Sequence, residues 1–200
     1  MEEKQKKNVF KFALLIFILY LCAQTITTNN HRDMKINIEM ATADMASHIA
    51  SLIMEAMNPQ CCQNFAGPNH TLVDFHCMMG KLVAMEDSQY SYLNTITAMT
   101  SDGILAGICV AYDGGKLKSL RRRFVEAALV AFGIDYSGMA DETEEGEFYL
   151  DSLAVSSKYR GKGIATQLIQ AAIEKARELG MPAVGLLVDK SNPQAEALYT

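Results

Sequence analysis

Two hydrophobic rhythms run along this chain, one repeating every second residue and one every third or fourth. Their alternation predicts an α/β domain with a mixed central sheet flanked by helices. Ile36-Asn-Ile-Glu39 alternates as a short strand. Thr42-Ala-Asp44 offers a cap for a helix running to about Met57, with Ala46, Ile49, Ile53 and Met57 on one face and Asn58-Pro59 as its stop. A second helix opens at Asn69-His-Thr71 and sets Leu72, Phe75, Met79 and Leu82 at helical spacing. Tyr92 to Met99 and Ile104 to Tyr112 read as a hairpin turning at Thr100-Ser-Asp-Gly103. A helix is expected from Lys118 to Phe132, and an acidic loop, Asp141-Glu-Thr-Glu-Glu145, follows it. Glu147 to Val155 is a strong strand. Lys162 to Leu179 is a helix with Ile164, Leu168, Ala172, Ile173, Ala176 and Leu179 inward, closed by Gly180. Ala183 to Val188 is continuously apolar, the pattern of a buried, parallel-type strand. Asn192-Pro193 then start a last helix.

Composition narrows the function classes. Half of the 200 residues are hydrophobic, enough for one packed domain. The net charge is −5, which disfavours sequence-independent nucleic-acid binding, a process driven by lysines and arginines neutralising phosphates. Five cysteines, an odd number with no C-x-x-C pair, suggest reduced thiols rather than a disulfide frame or a zinc ribbon. His70 and His76 stand six apart, on different helix faces, and no metal site is expected. Residues 1–33 stand apart from the domain expected over 34–200. Lys4, Lys6, Lys7 and Lys11 precede the apolar run Phe12 to Ala23, so residues 9–26 could tether the protein to a membrane. The run is short of a full span, and Leu21 spoils both cleavage contexts, before Ala23 and before Cys22. A start at Met34 is the competing reading and a cleaved leader a third. A cytoplasmic protein is therefore expected, with membrane anchoring as the alternative.

The chemistry concentrates in Leu153-Ala-Val-Ser-Ser-Lys-Tyr-Arg-Gly-Lys-Gly-Ile-Ala165, a strand running through a glycine-rich turn into a helix. Gly161 and Gly163 remove side chains where backbone must approach a ligand. The first amides of a helix lack intrahelical partners and sit at the positive end of its dipole, so such a turn suits phosphate oxygens. It is neither a Walker loop nor the dinucleotide fingerprint: Lys162 lacks the following Ser/Thr and the spacing, and a third glycine is missing.

At these residues the chain resembles the GNAT superfamily of N-acetyltransferases. The family's Gln/Arg-x-x-Gly-x-Gly/Ala motif is matched by Arg160-Gly-Lys-Gly163-Ile-Ala165, and its Asn-x-x-Ala-x-x-Leu-Tyr motif by Asn192, Ala195, Leu198 and Tyr199. Family members usually continue past this tyrosine into a Gly-Phe turn and more strands, so the chain, ending at Thr200, is expected to lack them. The resemblance implies acetyl transfer from acetyl-CoA to a primary amine by direct attack in a ternary complex. It implies cofactor contacts at Leu153, Ala154, Val155, Arg160, Gly161, Lys162, Gly163, Ile164, Ala165 and Asn192. Tyr199 would donate a proton to the departing CoA thiolate.

Period-2 alternation groups Glu147, Tyr149, Asp151 and Leu153 on one strand face, against Phe148, Leu150 and Ala154 on the other. An alkyl amine, with a pKa of about 10.4, must lose a proton before it attacks, and Glu147 or Asp151 is the candidate base. Arg121 to Arg123 read as a solvated helix face, with the CoA 3′-phosphate as the sharper alternative. The acidic loop reads as exposed, or as attracting a cationic amine. The acceptor is a small molecule or a peptide, its pocket shaped by the second helix and by Lys118–Phe132. A reading from a different class is a CoA-binding sensor or interaction module, tethered at a membrane, without turnover.

Overall fold

The computed structural model describes residues 6–11 and 35–188, with backbone alone at 6–11 and 188. Its strands are β1 (Lys6–Lys11), β2 (Ile36–Met40), β3 (Thr95–Thr100), β4 (Leu105–Asp113), β5 (Glu147–Val155) and β6 (Ala183–Val188). Its α-helices are α1 (Ala46–Met57), α2 (Pro59–Ala66), α3 (Leu72–Ala84), α4 (Leu117–Phe132) and α5 (Ile164–Glu178). They form one mixed sheet in the order β1-β6-β5-β4-β3-β2. All neighbours are antiparallel except β5 and β6, which run parallel with α5 as their crossover.

Helices α1 to α4 cover one face of the sheet. There Ile49, Ile53, Phe75, Met79, Leu82 and Phe124 pack with Ile108 and Val110 of β4. Helix α5 covers the other face, and its Ile164, Leu168, Ala172, Ile173 and Ala176 meet Phe148, Leu150, Val184 and Leu186. The expected inward stripe of α5 ends one turn early, because Leu179 is exposed. Deleting a side chain in this layer should be costly: Leu168→Ala is expected to destabilise by about 2–5 kcal/mol, read as the shift of a urea unfolding midpoint.

Local signals explain several boundaries, though not the start of α1, where neither Thr42 nor Met45 makes a side-chain cap. Thr71 and Asp74 form a reciprocal capping box at the start of α3, with Thr71 Oγ1 accepting from the Asp74 amide at 3.2 Å and Asp74 Oδ2 from the Thr71 amide at 2.8 Å. Helix α4 closes on left-handed Gly133, whose N–H returns to Leu129 O. Asn58-Pro59 does more than stop α1. Asn58 caps a separate helix, α2, by accepting the Cys61 amide at 2.9 Å, and Pro59 occupies its first turn. Cys61 and Cys62 are thus helical rather than loop thiols, and Cys62 is buried.

The expected tether at residues 9–26 finds no support. Its first residues, through Lys11, belong to β1, which lies antiparallel along β6 in the register Lys6↔Val188 to Lys11↔Ala183. The remainder, 12–26, is outside the described residues. Among the described residues no helix is long and apolar enough to cross a membrane.

Candidate functional site

Strands β5 and β6 part company halfway. Their pairing runs from Glu147↔Ala183 to Leu150↔Leu186, and β5 continues to Val155 with no described partner on that side. On the other side β5 stays paired with β4 up to Gly107↔Val155. The Ser156 amide donates to Ala106 O at 2.9 Å, toward β4. Successive residues alternate, so Ala154 also directs its amide and carbonyl toward β4, while Leu153 and Val155 present theirs to the opening. The polar backbone of Ala154 is thus used in the sheet, and its methyl packs under the α1–α4 layer. Arg160 turns back on the same opening, where its Nε donates to Val155 O at 2.9 Å and an Nη lies 3.5 Å from Glu55.

The glycine turn stands at the mouth of this opening. Gly161 and Gly163 both have φ of +73°, the left-handed region, and a Cβ built at either would meet nothing within 4 Å. Gly163 is the N-cap of α5 and provides no side-chain cap. The first helical hydrogen bond of that turn is Gln167 N–H to Gly163 O at 3.2 Å. Among the described residues, the amides of Gly161 to Thr166 reach no acceptor. A helix start with its donors uncapped and unobstructed is the physical requirement for seating an anion. Lys162 lies nearby with its ammonium 5.5 Å from the centre of the Tyr159 ring, and like Arg160 it is exposed.

Asp151 sits at the apex, one residue beyond the last β5–β6 pair. It is also the extra residue of a β-bulge. Val110 faces Ser152 and Ala111 faces Leu150, so Asp151 has no opposite number in β4. The bulge interrupts the alternation expected from sequence: Leu153 and Val155 fall on the α5 face with Phe148 and Leu150, and Ala154 falls on the opposite one. Asp151 Oδ2 accepts from Tyr112 Oη at 2.9 Å and from Gln89 Nε2 at 3.5 Å, while Oδ1 accepts from Ser152 Oγ at 2.9 Å. Surrounding protein desolvates the carboxyl, and the Glu142 carboxylate adds like charge. Together they push it up to about 7, against the opposing hydrogen bonds and the Arg121 guanidinium.

Glu147 is a different kind of residue. It lies four residues down β5, about 13 Å from Asp151 at the usual strand rise. It is 3 % exposed, and its Oε1 accepts the Glu144 amide at 2.7 Å. Its carboxylate lies where a Cβ on Gly185 would stand. This side chain ties the acidic loop to the base of the sheet. The same packing leaves no room at Gly114, where an added Cβ would lie 2.6 Å from Glu144 O. Gly114→Ala is therefore expected to lower stability by about 1–3 kcal/mol, measured by thermal unfolding.

Arg121 departs most from its expected role. It is buried, not solvated. Its guanidinium donates to Ala140 O at 2.9 Å and to Glu142 Oε1 at 2.9 Å, and lies 3.6 Å from Asp141. Arg123 pairs with Asp87 at 2.6 Å and Glu126 at 3.0 Å, and Arg122 lies 3.8 Å from Glu126. The acids of 141–142 thus serve to latch their own loop onto α4. Gln89 and Tyr112, both beside Asp151, carry no sequence signal that marks them; only the folded register brings them there. A cavity of about 470 Å³ lies between α3 and α4, lined among others by Cys77, Met78, Arg123, Val130 and Phe132. Those are the two helices expected to shape an acceptor pocket, but neither Asp151 nor the glycine turn lines that cavity. Asn192 and Tyr199 lie outside the described residues.

Comparison with known proteins identifies the family. The sequence profile of the Acetyltransferase (GNAT) family matches residues 84–200. A D-amino-acid N-acetyltransferase of Saccharomyces cerevisiae is 40 % identical over 52 residues, 26 % of this chain and 32 % of that protein. An N-alpha-acetyltransferase of Arabidopsis thaliana is 39 % identical over 61 residues, 30 % of this chain and 32 % of that protein. Each match therefore spans about a third of the curated relative. Among solved structures, an acetyltransferase superposes with a TM-score of 0.66 and 27 % identity, covering 82 % of this chain and 86 % of the other.

Proposed function

Because the chain belongs to the acetyltransferase (GNAT) family, we propose that it transfers an acetyl group from acetyl-CoA to a primary amine by direct attack in a ternary complex. The observation that carries this reading is the start of α5, uncapped and unobstructed among the described residues, beside a strand whose outer edge has no described partner past Leu150. The pyrophosphate of acetyl-CoA would be held by the amides of Gly161 to Ala165, where the helix dipole favours negative charge. The pantetheine arm would run along β5 as an added strand, bonding the main chain at Leu153 and Val155. Arg160 already takes the Val155 carbonyl, so the groups left for the arm are the Val155 amide and both backbone groups of Leu153. A main-chain amide at this edge would also polarise the thioester carbonyl and stabilise the charge that develops on its oxygen. Asn192, by its motif, completes the cofactor contacts.

Asp151 acts as general base on this reading. It takes a proton from the amine nitrogen, whose lone pair forms the new C–N bond as the C–S bond breaks. The leaving thiolate takes a proton from Tyr199. Solvent returns the Asp151 proton to the tyrosine, so the net change is amine plus thioester to amide plus thiol. Holding both substrates in line supplies much of the rate. The acceptor is a small-molecule or peptide amine.

The test is thiol release from acetyl-CoA across a panel of amines and peptides, paired with calorimetry of acetyl-CoA binding. Release with at least one acceptor is expected. Tight binding without release from any acceptor would favour a CoA-binding module, and neither binding nor release would reject the cofactor site. Tyr199→Phe is expected to lower kcat about tenfold or more while leaving acetyl-CoA affinity unchanged. An unaltered kcat would remove Tyr199 from the proton-donor role.

A further inference from the structure

We infer that Tyr112 is the positioning residue for Asp151: it holds the carboxyl at the apex of the β5–β6 opening through the hydrogen bond from its phenol. The inference rests on the reading of Asp151 as base. Its geometry comes from the bulge. Tyr112 is opposite Tyr149 in the β4–β5 register, and its ring meets that of Tyr149 edge-on at 5.8 Å. Asp151 is therefore the diagonal neighbour of Tyr112 across the strand pair, a separation that a long aromatic side chain spans. Asp151 has no opposite number in β4, and the Tyr112 hydroxyl arrives at its Oδ2, 2.9 Å away. The bond fixes one oxygen. Among the described residues the other accepts only from the neighbouring Ser152 hydroxyl, and it keeps lone-pair capacity for an incoming N–H.

The tyrosine is suited to a constant role. It is 3 % exposed, and it clusters with Tyr149 of β5, Leu117 and Leu120 of α4 and Leu187 of β6. Burial and the Asp151 charge drive its phenol far above the ordinary range, so it remains a donor at every working pH. The other charged or titratable groups around Asp151 are Tyr90, Cys109, Tyr149, Arg121 and Glu142. Of these, Glu142 favours the protonated carboxyl and Arg121 the ionised one, and neither makes a hydrogen bond to it. Gln89 reaches Oδ2 only at 3.5 Å, so the short bond from Tyr112 is the main restraint on that oxygen.

The experiment compares pH–rate profiles of the wild type, Tyr112→Phe and Asp151→Asn with acetyl-CoA and one accepted amine. Phenylalanine keeps the ring and its packing, and a thermal melt checks that the variant is folded. Losing a hydrogen bond to the ionised form moves the enzyme's acid limb upward, so the rate at pH 6 should fall about tenfold and the rate at pH 9 by less than about threefold. The Kd for acetyl-CoA should not change. A Tyr112→Phe profile parallel to the wild type, whether at the same height or uniformly lower, overturns the positioning role while leaving Asp151 as base. A wild-type limb that persists in Asp151→Asn overturns the base assignment, and the role of Tyr112 with it.

Discussion

Gly163→Glu should abolish acetyl-CoA binding, with the affinity falling at least about 100-fold by calorimetry. The reasoning is electrostatic and local. Gly163 caps α5 at a φ of +73°, and the space a side chain would enter is open. The amides from Gly161 to Thr166 have no acceptor among the described residues. A carboxylate there would compete for those donors and repel the pyrophosphate, a juxtaposition of like charges worth several kcal/mol. Gly163→Ala separates charge from backbone strain. It meets no atom within 4 Å and carries only the cost of a left-handed alanine, about 1–2 kcal/mol of stability. Affinity in the alanine variant should stay within a few-fold of wild type. Equal loss in both variants would mean that the turn's conformation, not its positive field, holds the cofactor. Retained affinity in Gly163→Glu would place the pyrophosphate elsewhere.

Asp151→Asn should lower kcat by about 100-fold or more while leaving acetyl-CoA affinity intact, the range expected for removal of a general base. The wild-type profile should rise through a limb near pH 7, because burial and Glu142 push the Asp151 carboxyl up to about 7. In the asparagine variant that limb should vanish, leaving only the deprotonation of the amine itself. The same shift has a consequence for stability. The folded-state value lies above the unfolded one, so the favourable contribution is complete below about pH 4 and is lost as pH rises toward 7. Above pH 7 the native protein bears the cost of an ionised, desolvated carboxyl. Asp151→Asn removes that cost and should therefore raise the unfolding midpoint at pH 8 more than at pH 5. A more stable but inactive variant is the pattern expected of a functional group held in an unfavourable setting. Equal midpoint changes at the two pH values would contradict the environment described for this side chain.

Asn58-Pro59 illustrates how local signals can be present and still be misassigned. The dipeptide that marks a helix start at Asn192-Pro193 stands at residue 58 as well. Asparagine as cap and proline in the first turn are a start signal in both places, and α2 begins there directly after α1 ends. The same dipeptide stops one helix and opens the next, two roles that residue identity alone does not separate.

Amino-acid order alone determined the strands β2 to β6, the helices α1, α3, α4 and α5, and the glycine turn that precedes α5. These follow from hydrophobic period, caps and glycine placement, which act over a few residues and need no partner. The folded chain decided the rest. Asp151 is a bulge only with respect to β4, and no count along β5 can reveal an unpaired residue in a two-strand register. Arg121 is buried because Ala140, Asp141 and Glu142 return to it from the far side of a loop, and helical period says nothing of what that loop will bring. Glu147 and Asp151 have the same chemistry and the same parity. One ties down a loop at the start of the strand and the other stands one residue past the point where β6 leaves β5, because β6 pairs with the first four residues of β5 and then diverges. Local propensities set which segments are strands and helices. The environment of each ionisable group depends on which distant segments pack around it, and that is a property of the assembled sheet.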